Sequence, residues 1–292
     1  MKLWSPFILP WKAFEGLLSR NGLEISGYIA FTVMLSLFPF MIFLVSLAGF
    51  FGEAHAGGNF LGTMAMFVPP EVMKTLLPAI QEVTVKRDGG LLTLGLVLAL
   101  YSAGSAVAAL RLALNLSYGV EEMRPYWWRK AEDFLVVIVG SIVLILLSIA
   151  IILGPLAWKF FTWLLLLDPS DQKLWHLARY GFAILVLASA VVALHRVLPD
   201  TRLELRRILP GALTTTVLWI AAASVLSLYF GQFANYDAIY GSLGGVVVTL
   251  MFFYISAIIF IFGGELNAAL MAHTEKRAPG PNPELRSLSA KV

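Results

Sequence analysis

The sequence predicts an all-α, polytopic membrane protein of about six transmembrane helices with both termini in the cytoplasm. Three observations carry this. Of the 292 residues, 59% are hydrophobic and only 13% are charged, about half the charged fraction of a soluble domain. Apolar runs of membrane-spanning length separate the charges. Basic residues gather in alternate gaps between those runs. A soluble core of any size still needs a polar shell, so lipid is the solvent that tolerates this composition. The net charge of +3 then reflects sorting across a membrane, and no nucleic-acid partner is expected. There is no cysteine, which excludes disulfide and thiol chemistry.

A helix rises about 1.5 Å per residue, so roughly 20 apolar residues cross a ~30 Å hydrocarbon layer. There are 28 uncharged residues between Glu24 and Glu53, 22 between Asp88 and Arg111, and 25 between Asp133 and Lys159. A further 29 separate Arg207 from Asp237, and 27 separate Asp237 from Glu265. These runs place spans at about 28–51, 91–112, 134–158, 208–230 and 241–266. A sixth span, 175–198, carries His176 and Arg179 in its first turns. An arginine near a helix end snorkels to the headgroups, and alternation of the loops between the two sides requires this span. Ala54-His55-Ala56 resembles a leader cleavage site, but the apolar run before it far exceeds the about 7–15 residues of a leader core. With the N-terminus inside, 15 of the 21 basic residues lie on cytoplasmic segments, as the positive-inside rule favours.

Segments outside the spans differ in character. Residues 1–24 read as an interfacial segment, with Phe14, Leu17 and Leu18 at helical spacing beside Lys12, Glu15 and Arg20; a solvated lead-in to the first span is the alternative. The extracytoplasmic loop 52–90 contains Pro69-Pro70-Glu71, a helix start, followed by Met73, Leu76, Leu77 and Ile80 on one face. The tail 273–292 holds Pro279, Gly280, Pro281 and Pro283 and is expected to be disordered. The six-helix membrane domain therefore occupies about 25–272.

Within that domain, small residues mark close helix packing: Gly95, Ala99 and Ala103 on one stripe, Gly104 and Ala108 on another, and the pair Gly241 and Gly245. Pro39 and Pro155 are candidate kinks, because proline removes a backbone hydrogen bond. Arg111 and Glu265 each end a long uncharged run at the cytoplasmic side. Asn115 and Asn267 lie near them, so these four form a candidate intramembrane polar cluster with an Arg111–Glu265 pair at its centre. Simple snorkelling of both charges is the alternative reading. Asn235, Tyr236, Asp237, Tyr240 and Ser242 form a second candidate cluster on the outer face, where an interfacial aromatic belt also accounts for the tyrosines. The four histidines show no metal-ligand spacing, and no nucleotide-binding or hydrolase motif is present. No cofactor, metal or catalytic site is expected. Glu121-Glu122 and Glu132-Asp133 read as a solvated, salt-bridged cytoplasmic hairpin.

Several motifs occur together in order: Phe38-Pro39-Phe40, Tyr101-Ser102-Ala103, Tyr118 to Arg124 followed by Trp127, Leu209-Pro210-Gly211 with Trp219, Tyr240-Gly241-Ser242-Leu243, and Gly263-Gly264-Glu265-Leu266-Asn267-Ala268. Over about Gly22 to Ala272 the chain thereby resembles the YihY/BrkB family of bacterial inner-membrane proteins. The resemblance implies a six-helix inner-membrane fold. Members are linked to serum resistance or lipopolysaccharide export, a transporter role has been suggested, and some carry an old ribonuclease label. No catalytic or binding residue carries over from it. The leading expectation is a transporter or lipid-handling protein with a lipid or small-solute substrate and a path between helices. A non-transporting scaffold or assembly factor is the alternative, and an oligomer is compatible with either.

Overall fold

The computed structural model describes residues 5–51, 89–143, 172–232 and 242–275. They form seven α-helices and no strand. In chain order these are α1 (Ser5–Ser19), α2 (Gly22–Phe51), α3 (Gly89–Tyr118), α4 (126–143), α5 (Gln172–Val197), α6 (Leu205–Gln232) and α7 (Ser242–Glu275). Four stretches among them are long and apolar enough to cross a bilayer: Thr93–Tyr118, Tyr180–Val197, Leu205–Leu228 and Val246–Thr274. Gly22–Leu37 is a shorter apolar stretch. The loop 52–88, the second half of the expected third span and the tail 276–292 lie outside the described residues.

Two helix ends have a visible local cause. Between α1 and α2, Asn21 takes the left-handed conformation with φ 56°, which asparagine tolerates better than most residues. Gly22 follows because a Cβ there would stand 2.6 Å from the Leu17 carbonyl oxygen. At the end of α3, Gly119 has φ 65°. Its N–H donates to the Leu116 carbonyl at 3.1 Å, and the Val120 N–H donates to the Asn115 carbonyl at 2.8 Å. This paired closure satisfies carbonyls that the helix leaves open. Proline does not by itself end a membrane helix: α2 continues through Pro39 and α6 through Pro210.

The bundle is built around α7, which packs against α1, α2, α3 and α6. Lipid supplies no hydrophobic drive between helices, so close backbone approach holds them together. On α3 the buried face is small: Gly95, Ala99, Ala106, Ala109 and Ala113. Ala109 and Ala113 meet Ile29 of α2, Leu17 of α1, and Ala257 and Ile261 of α7. A second cluster joins Val107 and Leu114 of α3 to Phe260 of α7 and Leu198 at the end of α5. Many large apolar side chains stay exposed, among them Leu185 at 63% and Val217 at 65%, as expected where lipid is the solvent.

Candidate functional site

Polar side chains concentrate at one end of the bundle, where α3 and α7 finish and α4 and α6 begin. Arg111 is 4% exposed and Asp133 1%. The Arg111 Nη2 donates to Asp133 Oδ1 at 2.5 Å and to the Arg129 carbonyl at 3.2 Å, with Glu132 3.5 Å away. Gly104, two turns earlier on α3, faces Phe134 and the Asp133 Cβ, so α4 lies close enough for the arginine to reach it. The expected Arg111–Glu265 pair is not formed. Glu265 lies level with Ser117, because its neighbour Gly264 packs against Leu114 and Ser117. That is six residues beyond Arg111, about 9 Å along the axis, and helical side chains lean towards the N-terminus, away from Glu265. Of Glu132-Asp133, expected to be solvated and salt-bridged, the salt bridges are present but Asp133 is buried and Glu132 half-buried.

Glu265, 4% exposed, meets Arg20 from the turn after α1. Arg20 Nη1 stands 3.4 Å from both carboxylate oxygens and also donates to the Leu116 and Ser117 carbonyls. Gly16 makes room for this carboxylate, since a Cβ there would collide with Glu265 Oε2. Arg20 thus ties α1 to α3 and α7 together.

Asn267, fully buried, has a different task. Its Oδ1 accepts the Gly211 N–H at 2.7 Å, and its Nδ2 donates to the Ile208 carbonyl at 3.0 Å and to the Tyr118 hydroxyl at 3.1 Å. Pro210 lacks an N–H and disturbs the backbone pairing of that turn of α6. Asn267 clamps the backbone on either side of that proline, at Ile208 and Gly211, from α7. Contact is close enough that a Cβ on Gly211 or Gly263 would collide with the opposite helix.

Asn115 lies at the far end of the Arg111 network, joined to it through Glu122, Arg124 and Glu132. It donates to Glu122 Oε2 at 3.0 Å and accepts the Asp200 N–H at 2.9 Å. Arg124 sits among three acids: Glu122 at 2.8 Å, Glu132 at 2.7 Å and Asp200 at 3.7 Å. It also donates to the Leu198 carbonyl at 2.6 Å. Burial raises the Glu122 carboxyl, but hydrogen bonds and charge from Arg124 and the Asn115 amide outweigh it, so the net shift is downwards. Among the described residues no three His, Cys, Asp or Glu stand so that they could hold a metal ion. The guanidinium of Arg124 fills the centre of this acidic group.

The four expected intramembrane residues are therefore all buried: Arg111 and Asn115 share one network through Glu132, Arg124 and Glu122, while Glu265 and Asn267 have separate partners. Their charged partners Arg20, Glu122, Asp133 and Asp200 come from turns and the first half of α4, where charge alone reads as solvent-exposed. Of the outer-face cluster, Asn235, Tyr236, Asp237 and Tyr240 lie outside the described residues, and Ser242 begins α7. Pro155 also lies outside them.

Two cavities flank the α6–α7 contact at membrane depth. One, of about 480 Å³, is an open groove lined only by apolar side chains, including Leu218, Ala222, Leu226, Met251 and Ile255. The other, of about 200 Å³, lies towards α2, α3 and α5 and includes Thr215, Thr216, Trp219 and Ser256. In the wall of the second, the Trp219 Nε1 donates to Ser256 Oγ at 3.0 Å, and Trp219 packs edge-on to Phe252 with centroids 5.9 Å apart.

The family described as Virulence factor BrkB matches this chain over residues 13–286. The chain is 35% identical over 270 residues to the ribonuclease-like protein YfkH of Bacillus subtilis, covering 90% of this chain and 94% of that protein. It is 27% identical over 253 residues to a UPF0761 membrane protein of Vibrio vulnificus, covering 84% and 76%. With a UPF0761 membrane protein of Aliivibrio salmonicida the identity is 23% over 249 residues, covering 84% and 77%. No solved structure matches. The apolar helices and the match across nearly the whole length agree: the chain is an integral membrane protein that belongs to the Virulence factor BrkB family.

Proposed function

We propose that this protein handles lipid in the bacterial inner membrane, taking an acyl chain into the groove between α6 and α7. The observation that carries the reading is the groove itself, about 480 Å³ and lined by apolar side chains alone. It lies on two helices long and apolar enough to span a bilayer, where the available occupant is an acyl chain. Ala221 and Ala222 hollow it out. Behind it, Thr215, Thr216, Trp219 and Ser256 offer polar groups inside the bundle. Intramembrane polar groups facing an interior are costly and favour a role in a substrate path. The Trp219–Ser256 hydrogen bond stands as the partition that such a path would cross.

In this reading the protein is not an enzyme. The ribonuclease word belongs to the name of the Bacillus relative, and the acids of the polar end are engaged by arginines. The test is lipid exchange in vesicles. Reconstituted protein should move a fluorescent phospholipid between leaflets faster than protein-free vesicles do. Ala222→Phe, which fills the groove, should return the rate to background while the protein stays folded. Exchange at background rate in the wild type would favour the non-transporting scaffold, and exchange unaffected by Ala222→Phe would remove the groove from the path.

A further inference from the structure

A third cavity, of about 180 Å³, lies between α1 and the last turns of α7, away from the α6–α7 groove. Lys12, Gly16 and Arg20 recur every four residues and form one wall. On α7, Ala268, Ala269 and Ala272 form a floor of minimal side chains, with Glu265 and His273 at its margins. The space is far above the ~10–15 Å³ that admits one water.

Charge and depth say what fits. Glu265 is matched by Arg20 at 3.4 Å, which leaves the Lys12 ammonium as surplus positive charge over the cavity. Arg20 is still 44% exposed and keeps donors free of Glu265, since its hydrogen bonds all run from Nη1. Cationic side chains with spare donors over a small-residue floor suit a phosphate group, which accepts charge-assisted hydrogen bonds on several oxygens. On its other side α1 exposes Trp11 at 67%, Phe14 at 44% and Leu18 at 49%. An amphipathic helix with such a face lies at the boundary of headgroups and acyl chains, so the cavity sits at phosphate depth.

We infer that the α1–α7 cavity is a phosphate-binding site, with Lys12 and Arg20 as the cationic wall. The phosphate is either that of an anionic phospholipid headgroup or that of a soluble phosphate compound. The site stands whether or not the α6–α7 groove carries lipid.

The experiment is calorimetric titration of the full-length protein in neutral detergent at low salt. The probes are dioctanoyl phosphatidic acid, inorganic phosphate and dioctanoylglycerol, which lacks the phosphate. Phosphatidic acid should bind and dioctanoylglycerol should not. Lys12→Gln, which removes one charged donor, should weaken binding about tenfold. Ala272→Leu, which occupies the cavity without changing charge, should weaken it comparably. Neither variant touches the Arg20–Glu265 bridge, so thermal unfolding should match the wild type. Inorganic phosphate binding with the same dependence on both variants assigns the site to soluble phosphates, and its failure beside phosphatidic acid assigns it to headgroups. Equal binding of dioctanoylglycerol, or phosphatidic acid binding unchanged in both variants, would overturn the proposal.

Discussion

Arg111 shows how burial turns one side chain into a structural commitment. At 4% exposure its guanidinium depends on Asp133, 2.5 Å away. Removing one member of such a pair leaves an uncompensated buried charge, which costs about 3–5 kcal/mol, whereas removing both is often close to neutral. Arg111→Ala and Asp133→Ala should therefore each lower stability by about 3 kcal/mol in a reversible detergent unfolding assay. The double variant should recover much of that loss. Strict additivity of the two single effects would mean that the residues act independently. Glu265→Ala combined with Arg111→Ala should be additive, since the two share no contact in this fold. That Arg111 and Glu265 are unusual was legible in sequence, because each interrupts a long uncharged run. Their partners were not, because the offset of α7 against α3 and the reach of Arg20 from α1 are set by packing.

At the scale of elements, Arg124 staples the α3–α4 connection to the α5–α6 connection. Its contacts run to Glu122 and Glu132 on one side and to Asp200 and the Leu198 carbonyl on the other. Glu122 lies below its ordinary value of 4.5 in the folded protein. The stability it contributes is therefore fully present above that unfolded value and is lost as pH falls through the lower folded value. Glu132 runs the other way, because burial raises it more than Arg124 and Arg111 lower it, so wild type alone mixes the two. The difference between wild type and Glu122→Gln isolates the first. Thermal unfolding of wild type should drop towards that of Glu122→Gln as pH falls below about 4.5, and a gap constant with pH would refute the assignment. Helix existence was largely legible here, since α2, α3, α6 and α7 follow from the uncharged runs. The role of Asn267 was not, because its backbone partners at Ile208 and Gly211 lie on a helix that only the fold brings alongside.

For the whole molecule, orientation is the property that sequence argues best. Fifteen of 21 basic residues fall on the segments assigned to the cytoplasm. Reporter fusions after Gly57 and Tyr236 should score outside, and fusions after Arg202 and His273 inside; the reverse pattern would overturn the orientation. That orientation would put these polar networks and the α1–α7 cavity at the cytoplasmic end. The sequence by itself determined that this chain lives in lipid, because charge fraction and run length depend on composition and order alone. It also marked Arg111 and Glu265 as charges that end long uncharged runs. Only the tertiary structure decided which charges meet, where α6 and α7 part to leave a groove, and how α1 closes over α7. Those outcomes rest on axial offsets of a few ångströms between helices, and such offsets are settled by small residues meeting face to face, as Gly211 meets Gly263, which no one-dimensional spacing encodes.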